Sequence, residues 1–142
     1  MMSFSGLELH NAIQAIFLDN LLRISDIIKN IKVNPAEYII KRTQEIVLAE
    51  YSNPYLSLSS IAQMLNISYG YLSKIFRYQT GSNFINYLTY IRMANAKRFL
   101  LDGSLRIYEI ANAVGYSSSG YFITVFKKYY HVSPSDYREK IK

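Results

Sequence analysis

The chain repeats itself, and the repeat limits what it can fold into. Ile61 to Ser68, IAQMLNIS, returns as Ile110 to Ser117, IANAVGYS, at an offset of 49 residues. Tyr71-Leu72-Ser73-Lys74-Ile75-Phe76 returns as Tyr121-Phe122-Ile123-Thr124-Val125-Phe126 at an offset of 50, which also relates Tyr87 to Tyr137. The extra residue therefore lies within Ser117-Ser118-Ser119-Gly120, where a turn absorbs it. Such self-similarity implies two copies of one small structural unit. Between the copies, Asn83 to Leu101 reads as one long helix, whose nineteen residues span about 28 Å at 1.5 Å each.

Each copy carries the backbone chemistry of a helix-turn-helix. In the first, a short helix over roughly 57–65 turns Leu58, Ile61, Ala62 and Leu65 inward, with Ala62 small enough for two helices to cross closely. Asn66 follows where the helix must end in a left-handed residue, a conformation Asn tolerates. Ala111 and Gly115 are the matching pair in the second copy. Ser68 and Ser117 are placed to cap the next helix. At 100° per residue, that helix turns Leu72, Ile75, Phe76 and Gln79 inward, and Phe122, Val125, Phe126 and Tyr129 in the later copy.

The opposite faces carry the candidate chemistry. Gly70, Ser73, Lys74 and Arg77 make a small, polar, cationic edge that suits the DNA major groove, where Lys and Arg meet guanine edges and phosphates. On most helices a Lys/Arg pair is a solvated face; here it lies on the second helix of a helix-turn-helix. Gly120, Ile123, Thr124 and Lys127 form the later edge, in which Ile123 and Thr124 offer methyl contacts; Ile123 reads equally as a partner contact or a half-buried position. Lys127 and Lys128, with Ser117, Ser118 and the equivalent cap Ser68, suit phosphates. A strut of the linker helix's length can serve two grooves, because successive turns of a major groove lie roughly 34–36 Å apart. Phe84, Tyr87, Leu88, Ile91, Leu100 and Leu101 anchor this helix in the two cores. Arg92, Lys97 and Arg98 make either phosphate contacts or internal ion pairs.

Charge agrees with this placement. Residues 1–40 hold three basic and four acidic residues, whereas residues 41–142 hold thirteen and six, a net of +7. The excess points to a polyanion. Half of the 142 residues are apolar, so a packed core is expected rather than disorder. The chain has no cysteine and two histidines, and lacks a clustered acidic pair. It therefore assembles neither a nucleophile and base nor a metal site, and no enzyme activity, cofactor or metal is expected. Without an opening basic segment or a long apolar run, a cytoplasmic location is expected, with no membrane span.

At the other end of the chain, residues 7–31 form an amphipathic helix with Leu9, Ile13, Ile16, Ile24, Ile27, Ile28 and Ile31 on one arc. That arc either packs on the neighbouring domain, joins an upstream module, or makes a homodimer seam. Asn34-Pro35-Ala36-Glu37 starts the next helix, which runs to about Tyr51. Ser133-Pro134-Ser135-Asp136 starts the last one, from which Tyr137 points inward. His131 stands where the first copy has Gly81, and reads as a tolerated left-handed cap rather than a ligand.

The fold class is thus all-α: two helix-turn-helix subdomains joined by a long linker helix and preceded by an amphipathic helix. The boundaries are 1–34 for the lead-in and 35–142 for the domain, with subdomains at about 35–82 and 104–142. Residues 43–142 resemble the DNA-binding domain of the AraC/XylS family of bacterial transcription regulators. The likeness is carried by Ile61-Ala62, Ser68, Tyr71 to Phe76, Tyr90-Ile91-Arg92-Met93, Ile107 to Ala111, Val114 to Ser117, Tyr121-Phe122, Val125 to Lys128, Ser133-Pro134 and Tyr137-Arg138. It implies seven helices and a domain that reads two consecutive major-groove segments of double-stranded DNA. The base-reading positions it implies are Gly70, Ser73 and Lys74, then Ser119, Gly120, Tyr121, Ile123 and Thr124. Thr124 departs from the Arg of many members, and His131 from the usual Gly. The family's sugar-binding β-domain is not represented. Residues 1–42 resemble the helical lead-in of response-regulator-type or membrane-sensor members. The rival reading is a protein-interaction module of the same fold, contacting RNA polymerase or a partner regulator.

Overall fold

Caps and left-handed residues set the element boundaries in a computed structural model that describes residues 5–30 and 34–141. The described residues form eight helices: α1 (Gly6–Asn30), α2 (Pro35–Glu50), α3 (Leu58–Met64), α4 (Tyr69–Thr80), α5 (Phe84–Leu101), α6 (Ile107–Ala113), α7 (Ser119–Tyr130) and α8 (Pro134–Lys140). The chain divides into two compact units, residues 1–34 and 35–142. The first contains α1, whose side chains Leu9, Ile13, Ile16, Ile24, Ile27 and Ile28 are exposed. Ile31, the last residue of the expected arc, lies outside the described residues. None of the described helices is long and apolar enough to cross a membrane.

Within residues 35–142 the sequence repeat becomes a structural one. Asn66 and Gly115 both have positive φ, 54° and 92°. In the first turn Ile67 N donates to Ala62 O at 3.0 Å; in the second Tyr116 N donates to Ala111 O at 2.9 Å. These bonds satisfy carbonyls left over at a helix end. Ala62 and Ala111 are buried, as close helix crossing requires. Further along, Tyr87 meets Phe76 edge-on at 5.3 Å, and Tyr137 meets Phe126 edge-on at 5.8 Å. Edge-to-face pairs of this kind add about 0.5–1.5 kcal/mol beyond their burial.

Two cores result. Ile40, Val47, Leu58, Ile61, Leu72, Phe76, Phe84 and Leu88 form the first. Met93, Ala96, Leu100, Ile110, Val114, Phe122 and Phe126 form the second. The linker helix α5 contributes to both, and Tyr51, just beyond α2, packs against both. Arg138 of α8 donates from Nε to Leu100 O at 3.3 Å, tying α8 to the last turn of α5.

Three inward assignments from periodicity fail. Gln79 is exposed, and its neighbour Thr80 is partly buried with Oγ1 donating to Phe76 O at 2.7 Å. Tyr129 is 41% exposed, whereas Tyr130 packs in the second core, 4.8 Å from the Phe126 ring. In both helices the residue four beyond the buried Phe continues the core, because that step ends only about 40° past a full turn while a step of three falls about 60° short. Leu101 is exposed rather than an anchor, since Leu100 takes the buried position.

His131 adopts the left-handed conformation expected of it, with φ 60°. Its backbone N–H donates to Lys127 O at 2.8 Å, as that of Gly81 does to Arg77 O at 3.0 Å. A non-glycine residue there costs about 1 kcal/mol. His131→Gly should therefore raise the free energy of unfolding by about 1 kcal/mol, measured by urea denaturation with fluorescence and circular dichroism.

Candidate nucleic-acid interface

The outward side of α4 is built by its cap. Ser68 has extended backbone and its Oγ accepts from Tyr71 N at 3.2 Å, so the helix begins at Tyr69. Gly70, Lys74 and Arg77 are exposed and Ser73 is half-buried. A methyl group added at Gly70 would meet nothing within 4 Å, so this edge is open to a close approach. Neither α4 nor α7 contains an acidic residue, so their four cations are unopposed within their own helices. Tyr69 and Tyr78, not singled out from sequence, are also exposed there; their aromatic surface beside Lys74 and Arg77 was the available signal.

The cap of α7 corrects the sequence reading. Ser118, not Ser117, is the N-cap, and its Oγ accepts from Tyr121 N at 3.2 Å. The inserted residue precedes the cap, so Ser118 is the counterpart of Ser68 at the offset of 50. Ser117, Ser118, Ser119, Gly120, Tyr121, Ile123, Thr124, Lys127 and Lys128 are all exposed. Thr124 Oγ1 donates to Gly120 O at 3.1 Å, which occupies its hydroxyl proton. This face is therefore apolar at its middle and cationic at its end.

Two clefts border α5 between these helices. One, of about 470 Å³, is lined by Tyr69 and Ser73 of α4, Ile85 and Thr89 of α5, and Tyr116 and Tyr121. The other, of about 960 Å³, includes Asn86 and Tyr90 of α5 with Tyr121, Thr124 and Lys128 of α7. Tyr121 lines both. Tyr69 and Ser73 of α4 thus share the smaller cleft with Tyr121 of α7, whereas Gly70, Lys74 and Arg77 surround a separate hollow that Tyr69 and Ser73 also line.

The cations of α5 meet rings and carbonyls. Lys97 Nζ lies 4.9 Å from the Tyr130 ring centroid and 5.5 Å from that of Tyr137, so it rests on aromatic faces. Burial, with Tyr129, Tyr137 and Tyr90 nearby, pushes the Tyr130 hydroxyl up to about 12, so that ring stays neutral near pH 7. Arg98 is exposed, 5.6 Å from the Phe99 ring. Arg92 is buried and hydrogen-bonds to backbone carbonyls. Of the two alternatives, phosphate contacts or internal ion pairs, the ion pairs do not form for any of the three among the described residues.

Comparison with known proteins agrees with this architecture. The family described as a helix-turn-helix domain matches residues 61–140. The Msm operon regulatory protein of Streptococcus mutans is 36% identical over 103 residues, which are 72% of this chain and 37% of that protein. The C-terminal domain of AraT, a response regulator from Geobacillus stearothermophilus, superposes with a TM-score of 0.71 at 40% identity, covering 77% of this chain and 88% of that one. The DNA-binding domain of AdpA, a global transcriptional factor solved with a target DNA, shares the fold at a TM-score of 0.65 and 21% identity, covering 76% and 93%. The chain spans roughly a third of the length of the curated relatives it matches.

The cap assignment has a direct check. Ser118→Ala should lower stability by about 1 kcal/mol, whereas Ser117→Ala should change it by less than about 0.5 kcal/mol. Urea midpoints of the two variants decide between them.

Proposed function

The chain belongs to the AraC-type helix-turn-helix family, and from that premise we propose that it is a sequence-specific DNA-binding transcription regulator setting α4 and α7 into consecutive major-groove segments of one duplex. The observation that carries the reading is the cleft beside α5 that Tyr69 and Ser73 of α4 share with Tyr121 of α7, because one duplex can reach both helices only if they border a common side. The unopposed cations support it.

The two helices do different work. In α4, Lys74 and Arg77 read base edges, Ser73 assists, and Gly70 admits the groove wall. In α7, Ile123 and the Thr124 methyl group contact thymine methyls, with Ser119, Gly120 and Tyr121 at the entering end. Lys127, Lys128, Ser68, Ser117 and Ser118 hold phosphates, which fix register but carry no sequence information. Most discrimination therefore comes from α4. Lys74→Ala should cost roughly 1–3 kcal/mol on the preferred duplex and relax specificity. Lys127→Ala should weaken all duplexes alike and reduce the slope of log affinity against log salt by about one. Equal losses for Lys74→Ala on preferred and random DNA would sink this division. The preferred duplex is obtained by selection from a random pool.

The apolar middle of the α7 face favours one alternative, in which this fold docks on RNA polymerase or a partner regulator. A flat salt dependence of duplex binding would select that alternative, because several phosphate contacts impose a steep one. The exposed apolar arc of α1 supports a homodimer through residues 7–31. Sedimentation equilibrium should show a dimer that becomes monomeric when Ile13, Ile24 and Ile27 are changed to Asp. A monomeric wild type rules the seam out.

A further inference from the structure

Arg92 lies near the middle of α5, where the helix passes from one core to the other. Its residue surface is only 8% exposed. Nε donates to Tyr51 O at 2.9 Å and Nη2 donates to Asn53 O at 2.8 Å, both in the segment between α2 and α3. The guanidinium carbon is 5.3 Å from the ring centroid of Tyr116, in the turn between α6 and α7. One planar fork thus grips the first helix-turn-helix subdomain through two carbonyls and the second through a ring face.

Gly115 closes the joint from the other side. A Cβ there would stand 2.5 Å from Tyr51 O and 2.8 Å from Arg92 Nη2. The second subdomain's turn therefore rests against the first subdomain's backbone with no room for a side chain. The positive φ of Gly115 is needed by its own turn; the close approach is a separate demand, made by the joint. Burial pushes the Arg92 guanidinium below its ordinary value, and Tyr116 offsets this. Two carbonyls and a ring face are the compensation a buried cation needs.

Helical geometry explains the location. At 100° per residue, Phe84 and Leu88 lie within about 40° of each other, and Met93, Ala96 and Leu100 occupy a sector centred roughly 130° away. Arg92 falls in the gap between the sectors, where the two cores meet.

We infer that Arg92 is the positioning residue that fixes the second subdomain's orientation against the first, and so sets the spacing of DNA segments the protein accepts. The inference rests on the two-segment reading of function. Without the fork, the subdomains remain joined through α5 but turn about its middle.

Spacing is the discriminating readout. One base pair inserted between the two contacted segments moves the second by about 3.4 Å and turns it by about 34°. Wild-type full chain should lose at least tenfold in affinity on the inserted duplex. Arg92→Met should bind the parent duplex about tenfold more weakly yet lose less than threefold on insertion, with Arg92→Lys intermediate. A general loss of stability would not relax the spacing penalty. If Arg92→Met fails to fold, Arg92→Lys carries the same comparison.

A second measurement needs no DNA. The chain has no cysteine, so spin labels at Gln79→Cys and Glu139→Cys, both exposed, report the distance between subdomains. The distribution should be narrow in the wild-type background and clearly broader with Arg92→Met. An unchanged distribution, or an unchanged spacing penalty in the folded variants, overturns the brace alone. A wild-type footprint confined to one segment overturns the two-segment reading, and the spacing role with it.

Discussion

The linker helix α5 buries two different faces in two different cores, and residues 35–142 are arranged around that fact. Phe84 and Leu88 are enclosed by α2, α3 and α4, whereas Met93, Ala96 and Leu100 are enclosed by α6, α7 and α8. Fully burying a large apolar side chain contributes about 1.5–3 kcal/mol, so each half of α5 is held firmly by its own core. A helix anchored at both ends transmits orientation from one core to the other. How faithfully it does so depends on what resists rotation at its middle, where Arg92, Tyr51 and Gly115 converge.

This arrangement separates stability from recognition. The repeated Phe–Tyr edge pairs and the Ala crossings lie inside, so the outward residues of α4 and α7 are released from packing duties. The two copies have used that freedom differently. The first keeps Lys74 and Arg77, whereas the second presents Ile123 and a Thr124 hydroxyl turned back on its own helix. Repeated scaffolds therefore carry unequal surfaces, one polar and cationic and one apolar at its middle.

Local chemistry was legible wherever one residue type has few alternatives. Left-handed Asn66, Gly115 and His131, capping Ser68 and Ser133, and small Ala62 and Ala111 all take the expected conformations or positions. Readings failed where two neighbouring residues of similar chemistry competed. Ser117 lost the cap to Ser118, Tyr129 the core to Tyr130, and Leu101 its burial to Leu100. In each case a shift of one residue leaves composition unchanged but turns the helix by about 100°, so packing against another element makes the choice.

Arg92 marks the boundary between what each level decides. Its charge and its place in a long helix, read along the chain, suggested a phosphate or a carboxylate as partner. Its observed partners are carbonyls about 40 residues away and a ring beyond the next turn, which no helical period or local motif encodes. The sequence by itself determined the two-copy architecture, the turns and most caps, because these follow from steric and hydrogen-bonding demands among near neighbours. Only the tertiary structure decided how the copies are braced and which residues of α4 and α7 border a common cleft, because those depend on groups brought together by burial rather than by adjacency.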